Sequence, residues 1–273
     1  MIRWMRATAP LLCALLLPGG CRSATGFDVD GLRIYGVDGA NNLIEFGSRS
    51  PDQVRRREIT GLQPDEVLLG LDFRPGDNRL FGVGSTGRLY VVDASTTIAT
   101  PLGGPFATPL AGEAFGVDFD PGSGQLRVVG SGGQNLRVDP GGAGAADAAL
   151  TFAPGDPGAI TTPRVTAVAF SAGSPPALYA IDSNRDALLA LPTPASGVAA
   201  TIGALGINIS DDAAFDIVDT REGERAYAVL SEERVSRLYR IDLATGAPRL
   251  IGRLASRSAV RAMAVVPDPD ERP

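Results

Sequence analysis

Short runs of alternating apolar and polar residues recur along the chain, separated by turns that are rich in glycine, proline and aspartate. Residues 69–75 read LGLDFRP and residues 115–121 read FGVDFDP, which places their aspartates, Asp72 and Asp118, 46 residues apart. Alternation over about four to eight residues predicts β-strands, and recurrence about every 40 to 50 residues is typical of repeat folds. No stretch keeps a helical period of about 3.6 residues, so helical folds are not expected.

Each repeat contains four strand-like runs, which we name a to d in chain order. In the first two full repeats, residues 69–75 and 115–121 are strand a, and further apolar runs follow each of them after a turn. Weaker copies of strand a surround Ala169 and Asp216. Four-stranded units at this period are typical of β-propeller blades.

The two ends of the repeat region complement each other. Residues 31–62 supply only three runs, because strand a is missing, whereas residues 262–267 match strand a and precede only a short tail, 268–273. Pairing these segments would complete a blade and remove an open sheet edge. We therefore predict an all-β protein with a single domain, residues 31–267: a five-bladed β-propeller of four-stranded antiparallel blades, its first blade closed by the C-terminal strand. An open β-sandwich is the alternative.

The repeats resemble a known family. Four segments carry the resemblance: LLGLDFRP at 68–75, GSTGRLY at 84–90, FGVDFDP at 115–121 and GQNLR at 133–137. Over residues 31–255 the chain is similar to bacterial domain-of-unknown-function family 4394, which consists of exported proteins with β-propeller-like repeats. The resemblance implies this fold and an exported location, and it implies no activity. The second half departs from the pattern, with Ala169 in place of the repeat aspartate.

The first 21 residues are typical of a signal peptide. Arg3 and Arg6 give a positive start, and the apolar run 11–17 is far shorter than the roughly 20 residues that span a bilayer. The small residues before Cys21 resemble a lipobox, so we expect Cys21 to be lipidated and residues 22–30 to form a tether. The predicted location is the outer membrane, the periplasm or the cell surface. Ordinary secretion is the alternative.

Composition excludes several chemistries. All 25 basic residues are arginine, histidine and lysine are absent, and the only cysteines are Cys13 and Cys21. Ser-His-Asp catalysis, histidine metal sites and Schiff-base chemistry are therefore excluded. The formal charge of −6 argues against nucleic acid as a partner. We expect no catalytic residue and no resident metal or cofactor, and the alternative is a hard cation such as calcium, which oxygen ligands bind.

One candidate binding group lies in a single loop of the fourth repeat. Asp182, Asn184 and Asp186 offer carboxylate and amide oxygens at alternate positions of a b–c loop. Such oxygens suit a hard cation such as calcium. The alternative is that the loop is simply a polar turn.

A second candidate group is spread over three repeats. Asp72, Asp118 and Asp216 occupy the same position of strand a, which lines the axis of a propeller, so their carboxylates would meet around a cation or polar ligand. The alternative is that each carboxylate accepts hydrogen bonds from backbone N–H groups of a neighbouring blade.

Carboxylate catalysis is less favoured. Glu66 and Glu113 are candidates for the acid pair of a glycosidase, but the only tryptophan, a common platform for sugars, is Trp4 in the leader. Antiparallel order places the b–c and d–a connections at one end of the propeller. Because these connections carry most of the varied polar residues, the sequence predicts any site at that end.

These observations predict an exported, lipid-anchored propeller that acts as a non-enzymatic ligand- or protein-binding module. Its partner would be a small ligand or an envelope protein, its membrane contact would be through Cys21 alone, and we expect a monomer. Two alternatives stay open. One is a hydrolase or lyase that uses carboxylates and arginine, with or without calcium, and the other is a structural envelope protein.

Overall fold

The computed structural model describes residues 30–267, which form 21 β-strands in five sheets and one short 3₁₀ helix, Pro194–Ser196. The predicted signal segment with Cys21, tether residues 22–29 and the tail 268–273 lie outside the described residues. Within the described part of the chain, no helix is long and apolar enough to cross a membrane.

Each sheet is one blade, and its strands follow the order a to d from the axis outward. Blade 1 contains β21 (Val260–Val265), β1 (Arg33–Asp38), β2 (Asn42–Gly47) and β3 (Arg55–Glu58). Blade 2 contains β4 (Leu68–Phe73), β5 (Leu80–Gly84), β6 (Leu89–Val92) and β7 (Ala99–Leu102). Blade 3 contains β8 (Phe115–Phe119), β9 (Leu126–Gly130), β10 (Asn135–Val138) and β11 (Gly144–Ala146).

The last two blades complete the ring. Blade 4 contains β13 (Val165–Phe170), β14 (Leu178–Asp182), β15 (Ala187–Leu191) and β16 (Val198–Ala204). A short strand that follows blade 3, β12 (Thr151–Phe152), adds to β16 as a parallel fifth strand. Blade 5 contains β17 (Ala213–Val218), β18 (Arg225–Glu232), β19 (Val235–Ile241) and β20 (Pro248–Arg253).

The inner strands form a closed circle. β4, β8, β13, β17 and β21 contact one another in this order, and β21 contacts β4. β21 also pairs antiparallel with β1, with Ala264 opposite Tyr35. The five-bladed propeller closed by the C-terminal strand is thereby confirmed. Since β21 ends where β1 begins, Asp30 and Pro267 both lie at the end of the ring where strands a pass into strands b. We call this the a–b end, and the other the d–a end.

The hydrophobic core consists of five seams between blades. Successive side chains of a strand point to opposite faces of the sheet, and each face is covered by the next blade, so each neighbouring pair of blades shares one apolar cluster. Between blades 2 and 3, Phe81 and Phe119 lie edge to face with ring centroids 5.2 Å apart. The blades are therefore held side by side, and their inner strands are brought together at the axis.

Glycines close the axis at the d–a end. A Cβ atom at Gly70 would lie 2.1 Å from Cγ2 of Val117, and one at Gly116 would lie 2.5 Å from the backbone nitrogen of Val168. The strands are thus too close for side chains, and only about 10 Å³ of space is left between them. Among residues 30–267, this packing leaves no ligand-sized space on the axis at the d–a end.

We expect Gly116→Ala to lower the free energy of unfolding by about 1 to 3 kcal/mol, because its methyl group would have to displace the backbone of blade 4. Gly132→Ala is a matched control in the same blade, since no atom lies within 4 Å of its Cβ position. Its effect should stay below about 0.5 kcal/mol. Urea unfolding followed by circular dichroism measures both, and equal losses would contradict the tight packing of the axis.

Candidate functional site

Three carboxylates meet at the propeller axis. Oxygen atoms of Asp72, Asp118 and Asp216 all lie within 4.8 Å of one another, and the three residues are 6, 6 and 7% exposed. Within residues 30–267, no other group of three acidic, histidine or cysteine residues comes together in this way. The repeat position identified in the sequence therefore becomes one cluster in the structure.

The carboxylates bind the blades to one another. The Phe119 N–H donates to Asp72 Oδ2 at 2.7 Å, the Phe170 N–H to Asp118 Oδ2 at 2.7 Å, and the Val265 N–H to Asp216 Oδ2 at 2.6 Å. Each aspartate thus accepts a hydrogen bond from the following blade. The hydrogen bonds between blades that the sequence analysis named as the alternative are present.

Asp72 and Asp216 also accept the N–H groups of blades 2 and 5, which follow the two blades that carry alanine at this position. Ala264 precedes blade 2 in the ring, and the Phe73 N–H that a carboxylate there would bind donates instead to Asp72 Oδ1 at 2.7 Å. Ala169 precedes blade 5, and the Ile217 N–H donates instead to Asp216. Three carboxylates therefore satisfy one inward-facing backbone N–H group from each of the five blades.

Burial changes the protonation of the cluster. Loss of solvent raises the pKa of Asp72 to about 7, against the effect of the Phe119 and Phe73 N–H donors. The pKa of Asp118 is held well above its usual range, mainly by burial and then by repulsion from Asp72 and Asp216. The pKa of Asp216 is raised in the same way, by burial and by repulsion from Asp72. Asp118 and Asp72 also share a side-chain hydrogen bond. Burial and mutual repulsion therefore make all three carboxyls bind protons more tightly than an exposed aspartate does.

A cavity of about 410 Å³ opens from this cluster toward the a–b end. The carboxylates lie at its floor, and its walls are apolar. The wall and rim residues are Phe73, Pro75, Phe119, Pro121, Phe170, Ile217, Val218, Val265 and Pro267, with the polar residues Asn78 and Asp219 also present. The sequence analysis expected any site at the d–a end, whereas this axial cavity opens at the opposite end, because the tight packing at Gly70 and Gly116 closes the axis on the d–a side.

The loop candidate has a different arrangement. Asp182 is completely buried, and its Oδ1 accepts hydrogen bonds from the Asn184 N–H at 2.9 Å and the Arg185 N–H at 3.2 Å, as in an Asx turn. Asp186 Oδ1 accepts the Ile209 N–H at 2.9 Å and so fixes the loop that leads to blade 5. Asn184 is exposed. These contacts favour the polar-turn interpretation, and a ligand role for Asp182, Asn184 and Asp186 stays a prediction.

The two glutamates considered for glycoside hydrolysis lie in ion and hydrogen-bond networks. Glu66 accepts hydrogen bonds from the backbone and hydroxyl of Thr86 and from the Tyr90 hydroxyl. Burial opposes its ionisation, but these donors together hold its pKa below the usual range, whereas a glycosidase acid needs a raised pKa. Glu113 is exposed and pairs with Arg164, which also binds Asp211.

The aromatic wall is the part of the site that the sequence analysis missed. Phe73, Phe119 and Phe170 each directly follow the strand-a position held by Asp72, Asp118 and Ala169. The Asp-Phe pair that recurs at 72–73 and 118–119 was therefore the sequence signal that could have predicted an aromatic wall beside the carboxylates. A search for loops with many polar residues could not find it, because these phenylalanines belong to apolar strands.

Stability should fall as the pH rises from about 5 to 8. A carboxyl whose pKa is raised in the folded state binds protons more tightly there than in the unfolded chain, so its stabilisation is complete below about pH 4. This stabilisation is lost as the pH rises through the folded-state pKa, which is about 7 for Asp72 and is well above the usual range for Asp118 and Asp216. Groups with lowered pKa values, such as Glu66, are already ionised in this window. One pKa unit corresponds to about 1.4 kcal/mol, and we expect a loss at least that large in urea unfolding.

Asp118→Asn is the matched variant for this measurement. Its amide keeps an acceptor for the Phe170 N–H and a donor toward Asp72, so it resembles the protonated acid without a titrating proton. The decline between pH 5 and 8 should be clearly smaller than in the wild type. Stability that increases over this range, or an unchanged slope in the variant, would contradict the protonated cluster.

Comparison with known proteins identifies the family. A search of curated proteins finds no match. A solved protein of unknown function from Bacteroides thetaiotaomicron is 14% identical, with a TM-score of 0.52 over 87% of this chain and 67% of that one, a likeness of fold alone. An auxiliary nutrient binding protein from Bacteroides ovatus is 12% identical, with a TM-score of 0.45 over 71% of this chain and 55% of its own length. The family model for a domain of unknown function, DUF4394, matches residues 42–264, and the chain therefore belongs to that family.

Proposed function

We propose that the protein is an exported, lipid-anchored and non-enzymatic module that binds a small ligand in the axial cavity. The ligand would direct a protonated amine or a similar cationic group at Asp72, Asp118 and Asp216 and place an apolar body against the phenylalanine wall. One observation carries the proposal: three buried carboxylates form the floor of an open cavity with apolar walls.

The size and chemistry of the cavity support this ligand class. A volume of about 410 Å³ falls in the usual range of small-molecule sites, which are mostly apolar with a few convergent polar groups. A cation near the floor would favour ionised carboxylates and offset the repulsion that raises their pKa values. The ligand would therefore exchange with protons, and its affinity would increase with pH.

Binding is favoured over catalysis by the way the carboxylates are held. The pKa of Asp72, about 7, would suit proton transfer, which is the observation in favour of a hydrolase or lyase. Both oxygens of Asp72, however, already accept backbone hydrogen bonds at 2.7 Å, one from Phe73 of its own blade and one from Phe119 of blade 3. Moving this group during a reaction cycle would disturb the ring, so a fixed binding role is the better fit.

We expect 2-phenylethylamine, which is a cation at pH 8, to raise the melting temperature of the full chain at that pH. The neutral isostere 2-phenylethanol should have little effect, and calcium chloride tests whether an inorganic cation suffices. Binding at about 100 times Kd would stabilise the fold by about 2.7 kcal/mol. The amine effect should be much smaller at pH 5, where protons occupy the carboxylates.

Rim variants locate the bound probe. Ala172 is exposed and lines the cavity, so Ala172→Trp should obstruct the mouth and abolish the amine shift without unfolding the protein. Ala107→Trp is the control, because Ala107 is exposed and does not line the cavity. Equal shifts with amine and alcohol, or an amine shift that persists in Ala172→Trp, would rule out the axial site for this ligand class.

The proposed anchor has a separate test. Radiolabelled palmitate should be incorporated into the full chain in a bacterial host and be lost completely in Cys21→Ser, because only Cys21 follows small residues in the lipobox-like arrangement. Cys13→Ser is the matched control and should retain the label. Label that persists in Cys21→Ser would refute the anchor while leaving the cavity proposal intact.

A further inference from the structure

A groove of about 460 Å³ lies between blade 5 and blade 1, at the a–b end and at the outer side of the ring. It is separate from the axial cavity, with which it shares no residue. Its lining contains no acidic residue. The charged and hydroxyl-bearing residues that line it are Arg49, Arg225, Arg240, Arg249, Tyr227 and Ser48.

Strand register places two of these arginines side by side. Arg240 of β19 is directly opposite Arg249 of β20, and Tyr227 of β18 is opposite Arg240 on the other side. The Arg240 guanidinium lies over the Tyr227 ring, 4.9 Å from its centroid. Like charges directly opposite each other on a sheet are destabilising. This pair therefore costs stability unless an anion lies between the two groups.

The positive charge of the groove is only partly balanced by the protein. Arg225 pairs with Glu222, and Arg49 lies 3.9 Å from Asp30 in a pair whose two side chains are mostly exposed.

The two arginines that face each other also line an adjoining groove with Glu224 and Asp242, but neither forms a direct ion pair with these carboxylates. Neither Arg240 nor Arg249 forms an ion pair with any carboxylate of residues 30–267, and the buried Nε of Arg240 has no hydrogen-bond partner there. Since the whole chain carries a formal charge of −6, this concentration of cations is not a reflection of overall composition.

We propose that this groove binds a doubly charged tetrahedral oxyanion, a phosphate or sulfate group, which is presented either by a soluble molecule or by a lipid headgroup. Guanidinium groups present planar sets of N–H donors that match such oxygens in pairs. Arg249 and Arg240 supply guanidinium groups that form no ion pair with residues 30–267, and Arg225 and Arg49 extend the positive charge across the seam between the blades.

Calorimetric titration of the full chain with inorganic phosphate, at constant ionic strength set by sodium chloride, tests the site. We expect one binding event in the wild type and at least about tenfold weaker binding in Arg249→Gln, the effect of one lost charge-assisted contact. Arg249 is exposed, so this variant should fold. Without phosphate it should melt at a slightly higher temperature than the wild type, because the repulsion from Arg240 is gone.

Arg253→Gln is the matched control. Arg253 is an exposed arginine on the same strand, but it is opposite Arg237, on the face of the sheet turned away from Arg240. Its phosphate affinity should stay within about twofold of the wild type, because only general screening changes. Equal weakening in both variants, or an absence of binding heat in the wild type, would overturn the proposal.

Sedimentation with vesicles distinguishes the two sources of the oxyanion. Binding to vesicles that contain phosphatidic acid, whose phosphate is a monoester, would assign the group to a lipid headgroup if it is weaker in Arg249→Gln and absent with phosphatidylcholine vesicles. Binding of free phosphate without vesicle binding would assign it to a soluble molecule. Failure of both measurements would refute this site without affecting the axial cavity, whose test uses an amine and a different set of residues.

Discussion

The hydrogen bonds between three axial carboxylates and the backbone of five blades are the constraint on which this structure depends. Five inner strands that converge on one axis bring buried N–H groups together, and buried donors without acceptors are costly. Asp72 and Asp216 each accept two such bonds and Asp118 accepts one. Replacing the aspartate by Ala169 and Ala264 in two blades is therefore tolerated, because neighbouring carboxylates take over both donors.

The same arrangement creates the cavity. Small residues such as Gly70 and Gly116 let the strands touch at one end of the ring. Five twisted strands that are close at one end diverge toward the other, and there the carboxylates and the following phenylalanines fill only part of the space. A feature that first satisfies the backbone thus also produces a site with charge at its floor and aromatic surface at its walls.

The sequence predicted the architecture well because the relevant signals are local and repeated. Asp72 and Asp118 lie in nearly identical segments, and the missing strand of residues 31–62 has its complement at 262–267. The candidate site was predicted only in part. Which end of the axis is open depends on contacts such as Gly116 with Val168, between residues of different blades. The opposition of Arg240 and Arg249 depends on strand register, which a single sequence does not specify.

The position of the chain ends has a consequence for orientation. Asp30 and Pro267 leave the ring at the end where the axial cavity opens. Arg49, which lines the arginine groove, donates its backbone N–H to the Asp30 carbonyl at 3.0 Å and so holds the chain at this point. If Cys21 holds the protein to a bilayer, the eight residues 22–29 separate the anchor from Asp30, and this stretch of chain spans at most about 30 Å. The axial cavity and the arginine groove would then open on the side of the propeller from which the anchored segment leaves.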